Sequence, residues 1–452
     1  MRRGRLRLER RRHVPDERQG RRPNTGGCRL KDWGVILPNT AQPQRPGPLW
    51  AGRTLALLGI LLVAANLRAA VTALSPIFDE ITHDVPFGAA GIGLLGALPP
   101  ICFAVFGLVA PLFTRKTSLE VIITAALAAI VVGDVTRGLS VSFWMLVAGS
   151  VLTFAGMAVG NVLLPPLVKR YFPDRIGLMT SLYATVLAVS TLVPPLLAVP
   201  VADSVGWRYS VGMWALLGVL AVLPWLAILL RRPDARHVDA DVEEPGKAEM
   251  GRVWHAPLAW AMAVTFATSS LNAYALFAWL PELLRDTAGT DAAQSGALLS
   301  LYAGIGIPAS LLIPALASRL RNVAWLIYLG AAFFIVGYLG LILLPSTATW
   351  LWVVFAGLGP LLFPLCLVLI NLRTRTHEGA VALSGFVQGL GYVLGALGPL
   401  LVGVLHDLTG GWLWPLLFLL LTAVAVVFAG AVIARPGMLE DHVAARAPRV
   451  SR

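Results

Sequence analysis

Apolar residues along this chain fall in runs of about 20, each long enough to cross a ~30 Å hydrocarbon core as a helix. Twelve such runs lie at roughly 53–75, 88–112, 119–137, 141–165, 176–200, 208–230, 256–280, 294–317, 323–344, 350–370, 381–404 and 412–434. Inside lipid every backbone N–H and C=O needs a partner within the protein, so each run is predicted to be a helix. The period-2 alternation of a membrane β-barrel is absent. The pattern therefore predicts an all-α membrane protein with twelve transmembrane helices.

One long polar break interrupts the apolar pattern, from Arg231 to His255, after the sixth run. It divides the chain into a basic N-terminal tail (1–52), a six-helix half (53–230), a linker (231–255), a second six-helix half (256–434) and a C-terminal tail (435–452). The first tail is rich in Arg, Pro and Gly with no apolar period, which predicts disorder. The halves carry weak internal repeats. Asn66 corresponds to Asn272 at a shift of 206, Pro76 to Pro281 at 205, Arg115 to Arg319 at 204, and Gly206-Trp207 to Gly411-Trp412 at 205. An even number of helices in each half gives both the same orientation. The expected assembly is two parallel halves with a solute site between them near mid-membrane.

Composition agrees with the apolar pattern. Hydrophobic residues make up 57% of the chain and charged residues only 13%, against about a quarter charged in soluble domains. The net charge of +12 would suit a nucleic-acid partner, but its placement points to a membrane. Every Lys and Arg except Arg68, Arg137, Arg208 and Arg285 falls in a tail, in the linker or in a loop on one side. The other side holds acidic residues such as Asp79, Asp203 and Asp407. This positive-inside pattern predicts a multi-pass protein of the inner (plasma) membrane with both termini cytoplasmic, and no nucleic-acid partner.

Cys28, Cys102 and Cys366 show no disulfide or metal spacing,. There is no nucleotide-binding loop and no nucleophile–base pair, so no cofactor, metal or catalytic activity is expected. The expected partners are the lipid bilayer and a small-molecule substrate, with a coupling ion as a further candidate. The chain is expected to work as a monomer.

Arg68 is the charged residue placed furthest inside any run; Glu120, Asp134 and Glu282 fall near the ends of theirs. By helical rise Arg68 lies about 12 Å from Pro76, at the end of its run. A charge at that depth costs roughly 2.5–3.5 kcal/mol on insertion scales and needs compensation. Its planar five-donor fork suits an anion such as a carboxylate. The alternative is a structural role, with Arg68 bonded to helix carbonyls, water or Asp134. Asn66 stands about 200° around the helix from Arg68, so the two cannot share one narrow stripe. Asn161, Asn272 and Gln388 are further amides that either line a cavity or bond neighbouring helices. Tyr274, Trp279, Tyr183, Tyr302 and Tyr392 are candidate aromatic walls. Arg68, Asn66, Asn161, Asn272, Tyr274 and Gln388 form the predicted substrate-binding set. For proton coupling, Asp134 is the best available carrier.

Four stretches carry a family resemblance: Asn66-Leu67-Arg68, Leu98-Pro99-Pro100, Gly156 to Asn161 with Leu164-Pro165, and Lys169-Arg170-Tyr171-Phe172-Pro173. On these the chain resembles the major facilitator superfamily, and within it the cyanate permease and 2-nitroimidazole transporter branch. The resemblance implies an alternating-access permease for a small anionic or polar nitrogen-containing solute, cyanate-like or nitroimidazole-like. An efflux carrier for amphipathic compounds and a non-transporting membrane sensor are the alternatives. The loop after the second run departs from the superfamily pattern, with Pro111 and Leu112 where Asp and Arg usually stand. The drug–proton antiporter pattern of the fourth helix is also missing, with Leu152 and Ala155 at its Arg and Gln positions.

The topology is open to a direct test. A cysteine at Ala240 should be labelled only from the cytoplasmic side and one at Ser204 only from outside. Impermeant maleimide on intact cells and on inverted vesicles reads both, and reversed accessibility would end the N-in assignment.

Overall fold

The computed structural model describes residues 53–114, 117–231, 253–320, 322–435 and 437–440. The N-terminal tail, most of the linker, and the C-terminal tail beyond residue 440 lie outside the described residues. Twelve helices are long and apolar enough to span a bilayer. They are α1 (Thr54–Asp84), α2 (Ala89–Gly107), α3 (Leu119–Gly138), α4 (Phe143–Tyr171), α5 (Ile176–Val205), α6 (Trp207–Arg231), α7 (Pro257–Ala288), α8 (Ala292–Ala317), α9 (Ala324–Leu343), α10 (Thr349–Leu372), α11 (Gly379–Thr409) and α12 (Leu413–Ile433). Their directions alternate, so both chain ends and the α6–α7 connection leave from one end of the bundle, here the tail end. The short α1–α2, α7–α8 and α11–α12 turns mark the far end.

The two groups of six helices repeat each other in detail. Asn66 on α1 donates to the Leu217 carbonyl of α6 at 3.2 Å. Asn272 on α7 donates to the Thr422 hydroxyl of α12 at 3.0 Å, and Thr422 lies 205 positions after Leu217 (422 − 217). At the start of α6 the Trp207 indole donates to Asp84 at 2.9 Å, and at the start of α12 the Trp412 indole donates to Asp286 at 2.8 Å. Such bonds between apolar helices fix which faces meet, because lipid provides no hydrophobic drive to choose among them.

Several spans are broken, and the breaks are satisfied from neighbouring helices. Helix α1 leaves regular geometry after Thr72 and passes through a 3₁₀ turn at Ser75–Ile77 before resuming. Helix α10 holds a 3₁₀ turn at Gly359–Leu361, and α11 breaks at Ala396. A proline removes the N–H that would bond the carbonyl four residues earlier. Pro195 thus frees the Thr191 carbonyl, and the Thr72 hydroxyl of α1 donates to it at 3.1 Å. Pro364 frees the Pro360 carbonyl, and Ser269 of α7 donates to it at 3.3 Å.

Two sets of buried charges correct the expectation that Arg68 stands apart within the spans. Asp134 is 1% exposed and Arg137 fully buried. The Arg137 guanidinium donates to Asp134 at 3.2 Å and to the Ala70 carbonyl, beside the α1 break, at 3.1 Å. The Thr153 hydroxyl donates to the same carboxylate at 3.1 Å. Asp134 is therefore committed to structure, against its reading as a proton carrier. Glu120, also fully buried, accepts from Arg170 at 3.1 Å and from the Tyr171 hydroxyl at 2.6 Å.

The groups touch closely at the far end. A Cβ placed on Gly93 or Gly96 of α2 would come within 2.9 Å of Pro399 on α11, and one on Gly403 within 2.9 Å of the Ala89 carbonyl. On α8, a Cβ at Gly296 would meet the Pro195 carbonyl of α5 at 2.8 Å. Ser300 donates to the Leu192 carbonyl at 2.8 Å, and Arg285 bonds Asp79 at 3.2 Å. Toward the tail end of the same four helices, Gly107, Gly177, Gly306 and Gly389 have nothing within 4 Å of a built Cβ. The interface is sealed at the far end and open toward the tails.

The Asp134–Arg137 pair gives a stability test. Asp134→Leu should cost about 3–5 kcal/mol, the usual penalty for leaving one partner of a buried ion pair uncompensated. Asp134→Leu combined with Arg137→Met should cost less than Asp134→Leu alone. Thermal unfolding of the purified variants in detergent measures both.

Candidate substrate site

Arg68 sits on α1 four residues before Thr72, where the regular helix stops. Its side chain is half-buried, unlike those of Arg137 and of Asn66, which is 2% exposed. The guanidinium donates to the Tyr274 hydroxyl of α7 at 3.4 Å, a long bond. It also lies over the Phe103 ring of α2, 5.3 Å from the centroid. The Tyr392 hydroxyl of α11 is the second phenol within its reach. Among the described residues no carboxylate pairs with it. Phenols and a ring face solvate a cation far less well than a carboxylate does; a cation–π contact contributes roughly 0.5–2 kcal/mol.

Aromatic rings from both groups enclose this point. Phe103 and Tyr392 stand 5.8 Å apart, Tyr392 and Phe266 5.2 Å, and Tyr274 and Phe277 6.4 Å. With one guanidinium face covered by Phe103, the in-plane N–H groups remain the natural donors to a planar acceptor.

Position in the repeat explains why these residues meet. Tyr274 lies 206 positions after Arg68 (274 − 68), the same shift that relates Asn272 to Asn66. Arg68 and Tyr274 are thus repeat equivalents in contact. Two equivalent residues touch only near the axis relating the halves, which for parallel repeats runs along the membrane normal. The site is therefore central.

The sequence-predicted residues divide into two sets. Arg68 and Tyr274 come together here. Gln388, half-buried on α11, donates to Ser384 at 2.6 Å. Ser384, Gln388 and Tyr392 repeat at four-residue spacing and so share one helix face. Asn161 is half-buried and, among the described residues, has no hydrogen-bond partner. It stands nine positions from the outward-facing Leu152, about 180° around α4,.

Asn66 and Asn272 do not join them. Asn66 is held by the Leu62 and Leu217 carbonyls. Asn272, fully buried, donates to Thr268 and Thr422 and accepts from the Tyr338 hydroxyl at 2.6 Å. Both amides bond helices within their own group, which corrects their placement in the binding set. Trp279 likewise bonds within its own group, donating to the Pro399 carbonyl of α11 at 2.9 Å.

Phe103 was not legible as a site residue, because one Phe in an apolar run carries no positional signal. Beyond Tyr274 toward the far end lies a small cavity lined by Leu74, Ser75, Leu95, Phe277 and Ala278, with residues of both groups walling it. No group of three or more His, Cys, Asp or Glu side chains placed to hold a metal occurs among the described residues.

The Major Facilitator Superfamily model matches residues 56–396. The chain is 32% identical over 378 residues to a Bacillus subtilis (strain 168) protein called uncharacterized transporter YycB, covering 83% of this chain and 92% of that one. It is 32% identical over 368 residues to the 2-nitroimidazole transporter of Escherichia coli (strain K12), covering 81% and 91%. It is 28% identical over 362 residues to the cyanate transport protein CynX of the same strain, covering 79% and 91%. In fold it is similar to a bacterial homolog of the human lysosomal transporter Spinster in an inward-facing, unoccupied conformation. That match has a TM-score of 0.67 at 16% identity, covering 88% of this chain and 97% of the other. A site on the axis between two repeated six-helix groups, and a family model spanning most of the chain, lead to one assignment: the chain belongs to the major facilitator superfamily of membrane transporters.

Proposed function

We propose that this transporter carries a small anion or polar nitrogen-containing solute by alternating access, with Arg68 as its anchor. The observation that carries the reading is the Arg68 guanidinium, half-buried between the two groups with phenols and a ring for company and no carboxylate among the described residues. A solute bearing two acceptor oxygens, such as a nitro or carboxylate group, matches the guanidinium fork. The aromatic surround suits a flat solute. Cyanate and nitroimidazoles, taken from the names of the relatives, are the first compounds to try. Asn161 and Gln388 supply polar contacts on either side. With the basic tail-end loops taken as cytoplasmic, the structure corresponds to an inward-open state.

Efflux of amphipathic cations fits less well. The guanidinium repels a positive solute, and among the described residues no carboxylate pairs with it.

Arg68 variants separate the anchor from a structural role. Arg68→Lys should transport poorly, because an ammonium keeps the charge but not the fork. Arg68→Gln should insert at least as well as the parent, and its affinity should fall by roughly 1.5–3 kcal/mol, the worth of a charged hydrogen bond. Titration with cyanate and 2-nitroimidazole alongside thermal unfolding of the same preparations reads both quantities. Normal binding by a well-folded Arg68→Gln protein would sink the anchor.

A further inference from the structure

An alternating-access cycle passes through a state closed at both ends, and in that state Arg68 would lose its water. The carboxylates buried within the spans are already paired with other guanidinium groups. Arg137 has Asp134, and Arg170 has Glu120. Those carboxylates are also held by Thr153 and Tyr171, so neither is free to turn toward Arg68. Asp79 is held by Arg285 at the sealed far end. Glu282 keeps one buried oxygen without a partner, but it lies eight positions beyond Tyr274 on α7, about 12 Å along the helix. Tyr274 and Tyr392 supply dipoles rather than a counter-charge. Sealing the tail end over an empty site therefore buries a cation with weak compensation, which hydrocarbon surroundings make costly. A bound anion removes that cost by bringing both charge and acceptors.

We infer that the carrier changes orientation readily only with an anion at Arg68, so that it works as an anion exchanger rather than as a uniporter. One anion is released, and another must bind before the site can return. The inference rests on the alternating-access reading and on Arg68 facing the solute, and it is independent of which anion is carried.

The deciding step is reorientation of the empty carrier, and Ser75 reports it. Ser75 is 3% exposed, lines the cavity beneath the sealed far end, and its hydroxyl has no hydrogen-bond partner, so cysteine replaces it with little disturbance. Ser75→Cys protein in lipid nanodiscs, in a dilute zwitterionic buffer with no added solute, is treated with a bulky cationic maleimide. Parent protein with Ser75 intact gives the background from its own cysteines, and Cys366, fully buried, reports any unfolding.

Labelling of Ser75→Cys should be slow. Adding Arg68→Gln should speed it at least tenfold, because the cation that opposes closure has gone. Adding Arg68→Lys, which keeps the charge, should leave it slow. Gln388→Glu, which places a carboxylate one turn from Tyr392, should also speed it by supplying an internal counter-charge. If folded Arg68→Gln labels no faster than the Ser75→Cys parent, the inference is overturned; where Arg68→Gln unfolds, Gln388→Glu makes the same decision. Solute binding takes no part in this readout. A failure of the anchor reading appears in the binding titration, and a failure of the exchange inference appears here.

Discussion

Every backbone N–H and C=O placed in hydrocarbon must find its partner inside the protein, and the architecture of this transporter follows from that requirement. The spans are not uninterrupted helices. Prolines at 195 and 364 each remove a backbone donor, and a hydroxyl from another helix takes its place. The substitute donors, Thr72 and Ser269, lie on α1 and α7, the first helix of each group. Helices α1 and α7 also send Asn66 and Asn272 to α6 and α12. The same two helices therefore tie each group together and carry Arg68 and Tyr274 to the interface between the groups.

Against this background Arg68 differs in kind. Asp134, Arg137, Glu120 and Arg170 satisfy one another. Among the described residues Arg68 meets two phenols, one through a long bond, and a ring face. Its contact with its own repeat equivalent puts this weakly compensated cation on the axis between the two groups.

Closure at the far end depends on small residues. Gly93, Gly96, Gly296 and Gly403 let backbones of the two groups come together where a methyl group would collide. Without a hydrophobic drive between helices in lipid, such contact rests on dispersion and on a few polar bonds, here Ser300 to Leu192 and Arg285 to Asp79,. An interface of this kind separates without exposing a large apolar surface to water.

The sequence determined the features that depend on one dimension. Run length gave twelve helices, the spacing of repeats gave two equivalent groups, and the distance of Arg68 from the end of its run gave its depth. These quantities follow from rise per residue and from bilayer thickness, and neither needs to know a neighbour. Azimuth and pairing needed the tertiary structure. Asn66 and Arg68 sit two residues apart, yet one is fixed to α6 and the other reaches Tyr274 of α7 and Phe103 of α2. Asn272 looks equivalent to Asn161 in composition, but Tyr338 and Thr422 occupy it while Asn161 has no partner among the described residues. Asp134 and Arg137 appeared to lie near a helix end, and the packing of α4 against α3 buried both. Phe103 became a site residue only when α2 brought it over Arg68. Which way a side chain faces is set by contacts with other helices, and a helical run of apolar residues records its length but not its neighbours.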